Sequence, residues 1–130
     1  LLYTGYMSIW LLGVGMSTVE MAIGDNLLNY PWIKKVVRIN KSSIAQRALT
    51  MRQMFEASAL MSNYMHYTIR DKKQSIWIAQ REGRAKDSND RTQDSVLKML
   101  AMGGEGSVLE RLAEMNIAPL SLSYEYDPCD

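Results

Sequence analysis

The chain has 130 residues, 47% of them hydrophobic and 22% charged, with little proline and no low-complexity tract. That composition is that of a folded globular protein, and the length allows one hydrophobic core but not two. The net charge of +1 identifies no partner, and a lone cysteine, Cys129, with a lone histidine, His66, excludes both an internal disulfide and a Cys/His zinc site.

Residues 1–19 carry no charge. No basic segment precedes this apolar run in the sequence, so a signal peptide is not expected here. Three glycines with scattered Ser and Thr dilute it below the roughly 20 apolar residues of a membrane span, and a buried or membrane-facing helix is expected. The chain opens on Leu1 rather than methionine, so a preceding segment is expected. A turn at Asn29-Tyr30-Pro31 leads into a predicted strand, Lys34–Ile39. Charge is unevenly placed here: residues 26–55 contain Lys34, Lys35, Arg38, Lys41, Arg47 and Arg52 and no acid, which suits an anionic partner such as phosphate, nucleic acid or an anionic membrane.

Ser43 and Gln46 have capping-box spacing and predict the start of a long helix. Met51, Met54, Ser58, Met61, Met65 and Ile69, with Phe55 beside them, form its apolar stripe. A strand over 75–79 follows, then a charged segment over 80–91. A helix is predicted over Asp94–Met102, stopped by Gly103-Gly104, and Ser107 with Glu110 opens another that runs to about Met115. Ile117–Tyr126 reads as a last strand. The order β, α, β, α, α, β argues for an α/β domain with a largely parallel sheet, residues 1–130 forming one partial domain.

The most informative stretch is "SIWIAQREGRAKDSNDRTQ", residues 75–93. In open α/β sheets, ligands collect at the carboxyl ends of the strands, which is where this charge falls. Gly83 allows close backbone approach, and Arg81, Arg84, Lys86 and Arg91 supply donors, arginine being able to fork onto a phosphate. Glu82 can hold an arginine or accept from a hydroxyl. A solvated loop with internally paired charges is the alternative that spacing leaves open.

Glu82-Gly83-Arg84-Ala85-Lys86 resembles the Glu-Gly-Arg block of the glycerolipid acyltransferases, the glycerol-3-phosphate and 1-acylglycerol-3-phosphate acyltransferase family. The family block usually reads Pro-Glu-Gly-Thr-Arg-Ser or Glu-Gly-Gly-Arg-Ser-Arg; here one residue fewer separates glycine from arginine, and Arg81 stands for the proline. Upstream, "SSIAQR" resembles the block ending in a phosphate-binding arginine, with Arg47 in that place and Ser42, Ser43 and Ala45 replacing the usual glycine and phenylalanines. Downstream, Pro119, Tyr124 and Glu125 resemble the family's last block and its glycerol-3-phosphate branch. The resemblance spans about residues 21–130 and is similar to bacterial members of Bacteroidetes type. It implies a glycerol-3-phosphate acyltransferase-like sheet flanked by helices, N-terminally truncated.

The family uses a His-x4-Asp block, histidine as general base and aspartate orienting it, placed before the other blocks. His66 and Asp71 match that spacing, but they fall between the Arg47 and Glu82 blocks. Five helical residues also rotate a side chain by about 140°, pointing the two apart. They are read as a decoy, with His66 in a structural role near a helix C-terminus. The resemblance therefore implies no catalytic residue in this chain, a His-x4-Asp block before Leu1, and an inactive chain from an active parent.

For that parent it implies acyl transfer from a thioester donor, acyl coenzyme A or acyl carrier protein as co-substrate, to a glycerol-phosphate-type acceptor, with no metal or bound cofactor. Arg47, Arg84 and Lys86 would hold the phosphate at Gly83, and Glu82 would position an arginine or a glycerol hydroxyl. The expected location is cytoplasmic and peripheral, on the inner face of the membrane, each surface-near Lys or Arg adding about 1 kcal/mol. A lysophosphatidate or amino-acid-lipid acceptor is the alternative within the family. Outside it stands a non-enzymatic binder of anionic membrane or nucleic acid through residues 34–52. Nucleic acid is disfavoured, because no aromatic interleaves those basic residues for stacking.

Overall fold

The computed structural model describes residues 2–24, 42–45, 50–81 and 91–121. Four helices and a small parallel sheet make up this part, in the order α1 (Leu2–Gly13), β1 (Glu20–Gly24), β2 (Ser42–Ala45), α2 (Met51–Arg70), β3 (Ile76–Trp77), α3 (Asp94–Leu100) and α4 (Val108–Glu114). A mixed architecture of helices around parallel strands is thus present, as the alternation of patterns predicts.

The uncharged N-terminal run forms α1. It closes where the Met16 amide donates to the Leu11 carbonyl (2.8 Å) and the Gly15 amide to that of Leu12 (3.1 Å). This paired pattern needs a left-handed residue, and Gly15, at φ 78°, provides it without a Cβ penalty. Met7 and Leu11, one turn apart, are buried, while Tyr6, Ile9, Trp10 and Leu12 are exposed. No helix among the described residues is long and apolar enough to cross a membrane.

The sheet has the order β2-β1-β3, both pairings parallel. Met21 faces Ser42 and Gly24 faces Ala45 on one side; Glu20 faces Ile76 and Met21 faces Trp77 on the other. Strand β1 is absent from the sequence-based expectation, and the predicted first strand, Lys34–Ile39, lies outside the described residues. The predicted helix start at Ser43 is corrected: Ser42–Ala45 is a strand, and α2 begins at Met51. The same Ser/Thr-x-x-Gln signal recurs seven residues later. There the Thr50 amide donates to Gln53 Oε1 (3.0 Å) and the Gln53 amide to Thr50 Oγ1 (3.4 Å). Backbone pairing with β1 claims the first copy, and the second, with no strand to pair with, caps the helix.

Helix α2 carries the chain from β2 on one side of β1 to β3 on the other. Its stripe is buried only toward its C-terminus: Met65 is 2% exposed, whereas Met51, Met54 and Phe55 stand in solvent. Met65, Leu100 and Met115 form the core, with Ala22 and Ile76 from the sheet, Ile78 just beyond β3, and Met61, Ile69, Val96, Met99 and Leu112 from the helices packed around them. Burying a side chain such as Met65 contributes about 1.5–3 kcal/mol.

Helix α3 ends at Leu100, two residues before the expected Met102. The Ser107–Glu110 capping box forms as predicted, the Ser107 amide donating to Glu110 Oε2 (2.7 Å) and the Glu110 amide to Ser107 Oγ (3.3 Å). Those bonds to Ser107 hold the Glu110 carboxyl below the ordinary carboxylate value. A depressed folded-state value means the cap stabilises α4 above the unfolded-state value and is lost as pH falls through the folded one. Glu110→Gln is therefore expected to flatten the acid limb of the stability profile between about pH 5 and pH 3. Parallel urea titrations of both proteins check it, and coincident acid limbs would contradict it. Ile117–Ser121 form no strand, and the remainder of the predicted last strand lies outside the described residues.

Candidate functional site

Two edges of the sheet carry chemistry, and the parallel ladder separates them. At the carboxyl edge, β1 ends at Gly24, β2 at Ala45 and β3 at Trp77. The order β2-β1-β3 reverses direction at β1: the chain moves to one neighbour of β1 first and then crosses to the other. In open α/β sheets ligands collect at such reversals, outside the carboxyl ends of the strands, which here is the position between β1 and β3. Beyond β3, the Gln93 amide donates to the Gln80 carbonyl (2.9 Å), and Thr92 Oγ1 donates to Gln80 Oε1 (3.0 Å). The charged segment therefore leaves from and returns to one point at that edge, and α3 begins directly after it.

Of the sequence-predicted site residues, Arg47, Glu82, Gly83, Arg84 and Lys86 lie outside the described residues. Their flanks are described: Ala45 stands two residues before Arg47, and Arg81 directly precedes Glu82. No group of three or more His, Cys, Asp or Glu side chains capable of holding a metal occurs among the described residues.

His66 and Asp71 do not meet. His66 is buried at 3% exposure in the last turns of α2; its Nδ1 lies 2.7 Å from Glu114 Oε2 and its Nε2 3.3 Å from the Leu100 carbonyl oxygen. Asp71 caps the C-terminus of α2, and its half-exposed carboxylate accepts from Arg70 Nε (3.1 Å). With both ring nitrogens engaged inside the protein, His66 has none facing a substrate. Its partner, Glu114, sits 48 residues away on α4.

The amino edge holds a constellation that sequence reasoning missed. Glu20 opens β1 and is buried at 5% exposure. Its carboxylate accepts from the Tyr64 hydroxyl through Oε1 and from Lys72 Nζ (3.0 Å) through Oε2. Lys72 also donates to the Tyr64 oxygen (3.3 Å) and lies 5.4 Å from the centre of its ring. Glu20 first, and the Tyr64 hydroxyl after it, hold the Lys72 ammonium above the ordinary lysine value. A lysine kept charged in this way is a poor nucleophile, and both carboxylate oxygens are occupied. The arrangement ties the start of β1 to α2. Two sequence signals point to it: Glu20 is the first charge after nineteen uncharged residues, and Tyr64 and Lys72, eight apart, share a helical face when α2's pattern is extended.

The carboxyl edge of the sheet is thus the candidate site; the Glu20 cluster lies at the opposite edge, and His66 joins α2 to α4 and to the end of α3. No family model, curated protein or solved structure matches the chain.

Proposed function

We propose that this chain is the phosphate-binding part of a glycerolipid acyltransferase, which moves a fatty acyl group from a thioester donor to a glycerol-phosphate-type acceptor. The observation that carries the reading is topological. Strands β2 and β3 run parallel on either side of β1, so the chain leaves both at one edge of the sheet. Arg47 follows the first exit by two residues, and the Arg81–Lys86 block follows the second. Strands sharing one neighbour lie two spacings apart, about 9.5 Å, which two arginine side chains span around a single phosphate. The Gln80–Gln93 contact supports the reading by holding the base of the charged segment at that edge.

In this mechanism Arg47 and Arg84 grip the phosphate with paired N–H donors, Lys86 adds a point charge, and Glu82 orients an arginine or the reacting hydroxyl. The backbone at Gly83 approaches the anion closely. In this reading His66, the one histidine of the chain, is not the general base, since both its ring nitrogens are bound internally. The acyl donor is a co-substrate, and the protein rests on an anionic bilayer surface on the cytoplasmic side.

Titration of the chain with glycerol 3-phosphate, followed by calorimetry or amide shifts, tests the reading. Saturable binding is expected, with a loss of about ten- to a hundredfold on Arg84→Ala, the value of one charge-assisted bidentate contact. Preference for lysophosphatidate or an amino-acid lipid would keep the family and change the acceptor. Absence of phosphate-ester binding, or DNA binding that collapses steeply with salt, would overturn the assignment.

A further inference from the structure

The apolar stripe of α2 is a row of methionines that passes through two environments. Met51, Met54, Met61 and Met65 follow one another at helical spacing and so lie along one face. Cover over that face ends partway along it. Met65 is sealed in the core and Met61 is half-buried, whereas Met51 is 83% and Met54 51% exposed. All ten methionines of the chain fall among the described residues, so the comparison extends to the rest. Met7, Met21 and Met115 are buried like Met65, and Met99 and Met102 are half-buried. Met16, in the turn after α1, is the third exposed one.

Thioether chemistry turns this difference in cover into a difference in reactivity. The sulfur is a soft nucleophile with no proton to lose, so access of the oxidant decides its rate. Met51 and Met54 meet an oxidant in the native state. Met65 and Met115 meet it only when the core opens, and their rate is scaled down by the population of the open state. The products differ too. A sulfoxide at Met65 would set a polar S=O group among Leu100, Met115 and their apolar neighbours. On the first turns of α2 the same group stands in water, and no packing is lost.

We infer that Met51 and Met54 form a sulfoxidation site, a pair of thioethers that takes oxygen from hydroperoxides and is restored by a thiol-dependent sulfoxide reductase. In the forward step the sulfur attacks one peroxide oxygen, the O–O bond breaks and the S=O bond forms. Sulfur gives up two electrons, and the rest of the peroxide leaves as water or an alcohol. In the return step two thiols of the reductase become a disulfide, and the sulfoxide oxygen leaves as water. Exposure at the start of α2 opens the pair to both reagents. The site is independent of the acceptor reading above, since neither methionine belongs to the proposed phosphate cradle.

Treatment of the folded protein with dilute hydrogen peroxide, followed by peptide mapping with fragmentation, reads each methionine separately. Met51 and Met54 are expected to convert at least about tenfold faster than Met65 and Met115, with Met16 converting alongside them. The urea midpoint should not move when only these exposed residues are sulfoxides. The two epimer-specific methionine sulfoxide reductases, with a thiol reductant, should then return the starting mass. Met51→Leu combined with Met54→Leu, nearly equal in volume, should cut the rapid oxygen uptake from three atoms to one. In concentrated urea the preference should vanish, because the fold sets the order. Equal rates at Met51 and Met65 in the folded protein would overturn the site. So would a midpoint that falls with the first oxygens, sulfoxides that the reductases leave untouched, or a preference that survives in urea.

Discussion

Gly103→Ala is expected to destabilise the protein by roughly 3 kcal/mol, read as a fall in the urea midpoint. A Cβ at this position would lie 2.7 Å from the Asn63 amide nitrogen and 2.7 Å from the Ser62 carbonyl carbon. Both are backbone atoms of α2 and cannot swing aside as a side-chain tip would. The turn must lift away, which stretches the Gly103 amide bond to Ser62 Oγ and leaves a fully buried hydroxyl short of one partner. Gly5→Ala is the control. It adds the same methyl inside α1, meets nothing within 4 Å, and is expected to be neutral or to stabilise by up to about 1 kcal/mol. Equal losses in the two variants would show that close approach to α2 is not the cause.

Glu20→Ala is expected to cost about 2 kcal/mol, and Tyr64→Phe about 1 kcal/mol. The alanine variant removes a buried carboxylate and deprives the Tyr64 hydroxyl of its acceptor. The phenylalanine variant leaves Glu20 Oε1 without that donor. Because each change destroys the same contact, the double variant should lose less than the sum of the two, by about 1 kcal/mol. Strict additivity in the double-mutant cycle would mean that the hydroxyl and the carboxylate act separately. The exposed Arg52–Glu56 pair, 3.0 Å apart on the first turns of α2, is the contrasting case, and its removal should change stability by no more than a few tenths of a kcal/mol.

How far the fold could be read from the sequence follows the distance between the residues that decide it. The Ser107–Glu110 cap is three residues wide, its partners are its own neighbours, and it forms as its spacing predicts. Ser43–Gln46 carries the same local signal and fails, because a strand twenty residues upstream offers its backbone a ladder. That strand was itself illegible. Glu20 argues against a buried strand until Tyr64 and Lys72, 44 and 52 residues away, are brought onto it. The apolar stripe of α2 gave the helix, but periodicity carries no information about where along a helix the cover ends, and so about Met51 and Met54 standing in solvent.

The same contrast runs through the site. The charge of residues 81–91 is read directly from neighbouring letters, and so is their place in the chain after the predicted strand over 75–79, of which Ile76–Trp77 forms β3. The reversal of strand order at β1 was not, because it depends on a strand that the pattern did not reveal. For His66, rotation along a helix was enough to separate it from Asp71. Its pairing with Glu114 required the hairpin to fold back across 48 residues.

The pinned base at Gln80 and Gln93 has an evolutionary corollary. Two ends joined by hydrogen bonds insulate the rest of the domain from whatever is spliced between them, since doubling such an insert adds only about 0.6 kcal/mol of closure entropy. A change of length in that interval therefore costs the rest of the domain little, and the helix that follows keeps its starting point.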